Sequence, residues 1–111
     1  MKLAVIVLNK TECLDTLLTE FAGKGINGAT ILESTGMAHA LSDEGELRII
    51  ASLRVLLDPE RQKSKTIFAV IENEQLPLVS SIVNAVTGGL DKPDTGILFA
   101  TDISYAEGLE K

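Results

Sequence analysis

Aromatic residues make up only 4% of the chain, so its core must be built from Leu, Ile, Val and Ala, a composition suited to regular helices packed on a sheet. Cys13 is the single cysteine, which excludes an internal disulfide and a cysteine zinc cluster and points to a reducing, cytoplasmic setting. No basic run occurs and the formal net charge is −6, which argues against nucleic acid, whose proteins draw affinity from Lys and Arg on phosphates. No apolar run approaches a membrane span, so the protein is not expected to be membrane-embedded. Catalytic equipment is equally scarce. There is one His and one Cys, no GxxxxGK[ST] loop and no nucleophile elbow, so most acid–base and covalent schemes lack a player and an enzyme is not expected.

What is present is a repeated pattern of short aliphatic runs and amphipathic stretches within 111 residues, the size of one domain. Residues 3–8 (LAVIVL) are too short for a helix and lack a cleavage site behind them, so they read as a first strand and not a signal peptide. Leu14, Leu17, Leu18, Phe21 and Ala22 then fall on one helical face, with Thr11 available as N-cap and Gly23 and Gly25 at the stop. Residues 29–33 form a second strand after the Asn27-Gly28 turn signal.

From residue 37 to 63 charged residues interrupt the apolar ones, marking an insertion. In it Ser42 caps an expected helix with Asp43, Glu44 and Glu46 in its first turn and Ile49, Ile50, Leu53, Leu56 and Leu57 on one face, ending at Asp58-Pro59. Residues 66–71 are a third strand. A second helix carries Leu78, Val79, Ile82, Val83 and Val86 on one stripe, with Pro77 in its first turn. It leads into TGGLDKPDTGILFAT, residues 87–101, a glycine-rich turn that runs into a fourth strand at 97–100. Such a turn can cradle an anion with its N–H groups or be an ordinary connection.

The order predicts an α+β, ferredoxin-like double β-α-β domain with a four-stranded antiparallel sheet and both helices on one face. Strands facing water should alternate in polarity, yet LAVIVL and TIFAVI do not. The helix-free face must therefore be covered, by the insertion helix or by another subunit.

Two stretches carry a family resemblance: GINGATILE (25–33), closed by Gly36, and Thr87-Gly88 followed by GILFATDI (96–103). Through them, and through the order of the elements, the chain resembles the PII signal-transduction family, as a divergent PII-like member. The resemblance implies a homotrimer whose sheets face the central axis, with ligand clefts between subunits. One wall would come from Thr30, Gly36, Met37 and Ala38, the other from Thr87, Gly88 and Gly89. It further implies an adenine nucleotide such as ATP, ADP or AMP as effector, and a target enzyme or transporter controlled through the long loop. The chain departs from the family at the phosphate contacts. Ile97 follows Gly96 where the family has a lysine, the tail SYAEGLEK lacks its arginines, and Lys92 and Lys111 are the nearby cations. The only tyrosine is Tyr105, and Met37-Ala38-His39-Ala40 replaces a glutamine-containing segment. These departures favour a different small ligand or a nucleotide with fewer phosphates.

Two other classes share the scaffold: a CutA-like metal-binding trimer, and a small ferredoxin-like enzyme relying on Asp102 or His39. His39 with Asp43, Glu44 and Glu46 offers a divalent-metal site, though a solvated histidine is the simpler reading. Asp91 and Asp94 read as a solvated turn pair or as an acid–base pair.

Overall fold

The computed structural model describes residues 1–37 and 63–109. Four strands, β1 (Lys2–Leu8), β2 (Ala29–Ser34), β3 (Ser64–Ile71) and β4 (Gly96–Asp102), form one sheet in the order β2-β3-β1-β4. Every neighbouring pair is antiparallel. Helix α1 (Leu14–Gly23) joins β1 to β2, and α2 (Leu76–Thr87) joins β3 to β4. This is the ferredoxin-like arrangement expected from the element order. The expected helix of the 37–63 insertion lies outside the described residues.

The register explains how the core is assembled. Ala4 is level with Ala69 and Ala100, and Ile6 with Ile67 and Leu98, so alternate residues of adjacent strands line one face. On that face Ala4, Ile6, Leu8, Ile67, Ala69 and Ile71 are buried together with Leu17 and Phe21 of α1 and Val79, Ile82 and Val83 of α2. Both helices therefore cover the same side of the sheet, and aliphatic side chains supply nearly all of the core.

The helix boundaries differ in detail from the sequence reading. Thr11 does not cap α1; it opens a 3₁₀ turn, Thr11–Cys13, and Cys13 stands at the N-cap position without a side-chain cap bond. Ala22 is exposed, which leaves Leu17 and Phe21 as the buried contacts of α1. At the other end the Gly25 N–H donates to Ala22 O and the Ile26 N–H to Phe21 O, with Gly25 at φ +82. Those two bonds make a Schellman stop in which buried Ile26 joins Phe21 in the core. Residues 73–75 form a second 3₁₀ turn before α2, where the Glu72 N–H donates to Gln75 Oε1 at 2.8 Å.

The opposite face of the sheet is apolar and bare of any described element. Val5 at its centre is level with Phe68 on one side and Phe99 on the other. Phe68 is 37% exposed, Leu32 46%, Phe99 53% and Ile97 58%. Val5 itself is buried at the centre of this face, and the apolar side chains left in water in a single chain are Phe68 of β3 and those of the two edge strands around it. Near one end of this face Ser34, Ser64 and Thr66 share hydroxyl hydrogen bonds of 2.6 and 2.8 Å, which satisfy the buried Ser64.

Candidate functional site

The glycine turn after α2 is held open by a specific set of bonds. Thr87 Oγ1 donates to Val83 O at 2.7 Å and accepts from the Gly89 N–H at 3.3 Å. Asn84 Oδ1 accepts from the Leu90 N–H at 2.8 Å, while Asn84 Nδ2 donates to Ser80 O at 2.9 Å. Gly88 stops the helix in the left-handed region at φ +88, where a residue with a Cβ is strained. Gly96 is needed for a different reason: a Cβ there would lie 2.5 Å from Val7 O.

Pairing of β4 with β1 then brings a third segment to the turn. The Asn9 and Lys10 N–H groups both donate to Thr95 O, at 3.0 and 3.2 Å, just beyond the point where Leu8 is level with Gly96. The Lys10 side chain reaches back and its Nζ donates to Thr87 O at 2.9 Å. Between these elements lies a cavity of about 160 Å³ lined by Lys10, Thr87, Gly88, Lys92, Pro93 and Thr95. Two lysines line it and neither Asp91 nor Asp94 does.

Of the residues expected at the site, Thr87, Gly88 and Lys92 line this cavity. The Thr87 hydroxyl is committed to the turn, so what it presents is surface and not a free donor. Gly89 lies beside the lining, with Asp91 Oδ1 2.5 Å from where its Cβ would stand. Thr30 sits in mid-β2 on the bare face, level with Phe68. Gly36 and Met37 follow β2 and are exposed. Ala38 lies outside the described residues, as does His39 with its neighbouring acids.

The two expected walls end on opposite edges of the sheet. β2 and β4 are separated by β3 and β1, three strand spacings or about 14 Å. Ser34 and Gly96 nevertheless lie at the same end of it, since Lys65 is level with both Glu33 and Leu8. Lys10 was not expected at the site. In the sequence it reads as the polar boundary of the first strand, and only the β1–β4 pairing reveals it as a neighbour of the turn.

Other polar side chains are engaged in pairs away from the cavity. Asp102 pairs with Lys2 at 2.5 Å, at the end of the sheet away from the glycine turn, and that hydrogen bond and charge hold its carboxyl below the usual range. Lys65 does the same for Glu33 at 2.6 Å. Tyr105 donates to the Glu107 carboxylate, which raises the phenol. Cys13 Sγ lies 3.5 Å from Val86 O, a weak donor contact between the two helices. Among the described residues no group of three His, Cys, Asp or Glu side chains is placed to hold a metal ion, and no helix is long and apolar enough to cross a membrane.

No family model matches the chain, and no curated protein matches it. It is similar in structure to a functionally unknown protein from Pediococcus pentosaceus ATCC 25745, with a TM-score of 0.62 at 17% sequence identity over 97% of this chain and 96% of that one. At that identity the likeness is one of fold.

Proposed function

We propose that this protein is a PII-like regulator, a homotrimer that binds a small effector at the clefts between subunits and controls a partner enzyme or transporter through the segment after β2. The observation that carries this reading is the bare apolar face formed by Leu32, Phe68, Ile97 and Phe99 around Val5. Burying a large apolar side chain is worth about 1.5–3 kcal/mol, and a contiguous patch of them marks an interface. Copies of the same chain meeting through these faces would remove that surface from water. The layout of the expected walls supports the same reading. Gly36 and Met37 leave one edge of the sheet and the glycine turn enters the other, an arrangement that fits a cleft formed between the edges of neighbouring subunits.

The effector acts by favouring one arrangement of the segment after β2 and not by chemistry, so ligand binding shifts a population. Sedimentation at micromolar concentration tests the assembly, and a monomer there removes it. A thermal-shift panel of ATP, ADP, AMP, 2-oxoglutarate, bicarbonate and divalent metals tests the effector, because a ligand that binds only the folded state raises its apparent stability. A shift with a metal alone would favour a CutA-like protein instead.

A further inference from the structure

We infer that the Glu33–Lys65 ion pair and the hydroxyls of Ser34, Ser64 and Thr66 form a register lock, which fixes how β2 pairs with β3 and so where the chain leaves the sheet towards Gly36. The lock lies within one chain, and the inference is independent of the assembly and effector proposed above.

Register in this strand pair needs a device of its own. A tight turn sets it in a short hairpin, but Ser34 and Ser64 are 30 residues apart, and closing a connection of that length two residues further along costs almost nothing. Burial sets it elsewhere in the sheet, since β1 and β3 each place several side chains in the core. β2 does not: its four middle residues are exposed, Ile31 at 37% and Leu32 at 46%, and its contact with the core is the small Ala29. A one-residue slip is still opposed, because it exchanges the faces of every β2 side chain. A two-residue slip keeps the faces and moves the strand by about 7 Å, so burial barely resists it.

The two ties resist that slip in opposite directions. Glu33 is level with Lys65 on the helix-covered side of the sheet, and Lys65 Nζ donates to Glu33 Oε1 at 2.6 Å. Ser34 is level with Ser64 on the other side, where its hydroxyl lies 2.6 Å from that of Ser64 and 2.8 Å from that of Thr66. Slipping β2 one way would bring Ile31 level with Ala69 and Ser34 level with Thr66, which keeps a hydroxyl contact but sets Glu33 against Ile67 in place of a cation. Slipping it the other way would bring Ile31 level with Lys65 and Glu33 level with Lys63, which keeps an ion pair but takes Ser34 away from both hydroxyls. Ser64 is 4% exposed, so losing Ser34 leaves a buried hydroxyl to be satisfied. Each tie alone tolerates one wrong register, and only the two together select the observed one. Because Ser34 and Gly96 lie at the same end of the sheet, the same choice sets the height at which Gly36 leaves it relative to the glycine turn.

The test is NMR on the full chain, reading cross-strand contacts and amide exchange in wild type, Glu33→Gln, Ser34→Ala and the combined variant. Wild type is expected to show Ile31 against Ile67 alone. Glu33→Gln should add a population with Ile31 against Ala69, and Ser34→Ala one with Ile31 against Lys65. In the combined variant the β2–β3 amides should exchange about tenfold faster, the joint worth of one exposed ion pair and one hydroxyl bond, while the β1–β3 and β1–β4 amides keep their rates. Exchanging the charges, Glu33→Lys with Lys65→Glu, should keep the single native set of contacts. A single native set in the combined variant overturns the inference. So does exchange that rises equally in all three strand pairs, which would mean that the ties add stability without choosing a register. If the combined variant does not fold, the two single variants decide, because each is expected to slip in its own direction.

Discussion

Lys10 Nζ donates to the carbonyl oxygen of Thr87 at 2.9 Å, joining the end of the first strand to the last turn of the second helix across 77 residues of sequence. The bond satisfies a carbonyl that the helix itself leaves open. It also holds the Lys10 side chain at the wall of the cavity beside the glycine turn.

Without any ligand, Lys10→Met is expected to lower stability by about 1–2 kcal/mol, the worth of a partly buried charge-assisted hydrogen bond. Urea unfolding reads this directly. Lys92→Met, whose ammonium has no such partner among the described residues, should unfold within about 0.5 kcal/mol of wild type.

Gly96→Ala should be the more damaging of two glycine substitutions. Its Cβ would meet Val7 O at 2.5 Å, and backbone cannot swing aside as a side chain can. A loss of roughly 2–3 kcal/mol is expected from such overpacking, whereas Gly88→Ala should lose about 1–2 kcal/mol from its left-handed backbone. Equal effects in denaturant titrations would show that the β1–β4 contact is looser than the geometry implies.

Phe99→Glu and Phe68→Glu place a charge on either side of Val5 in the bare face. Each is expected to dissociate the proposed assembly to monomers by sedimentation while keeping the helical circular dichroism signal, since neither side chain belongs to the helix-covered core. Removing one buried phenylalanine costs about 2–3 kcal/mol per subunit, enough to shift the dissociation midpoint well over tenfold. An unchanged sedimentation coefficient in both variants would rule out this face as the interface.

The Lys2–Asp102 and Lys65–Glu33 pairs predict a pH dependence of defined sign. Each carboxyl is held below its usual value, 3.8 for Asp102 and 4.5 for Glu33, by a lysine hydrogen bond first and by its charge second. A depressed folded-state value means stability that is present above the usual value and lost as pH falls through the folded one. The melting temperatures of wild type and Asp102→Asn should differ slightly at neutral pH and converge in acid, and likewise for Glu33→Gln. Both carboxylates are exposed, so high salt should also close the gap.

The sequence by itself determined the elements and their order, because aliphatic runs of strand length and 3.6-residue stripes are local signals that burial enforces. Leu17, Phe21, Val79 and Val83 were legible as core from spacing alone, and the missing alternation in β1 and β3 announced a second apolar face. Cap details were less legible: Thr11 is by residue type the better N-cap, yet it opens a 3₁₀ turn and Cys13 takes the N-cap position of α1. The candidate site divided in the same way. Gly88 and Lys92 stood together in a glycine-rich stretch, but Lys10 lies 77 residues from Thr87, and no local pattern connects them. Only the sheet, by setting Leu8 level with Gly96, delivers that ammonium to the turn and gives the cavity its second charge.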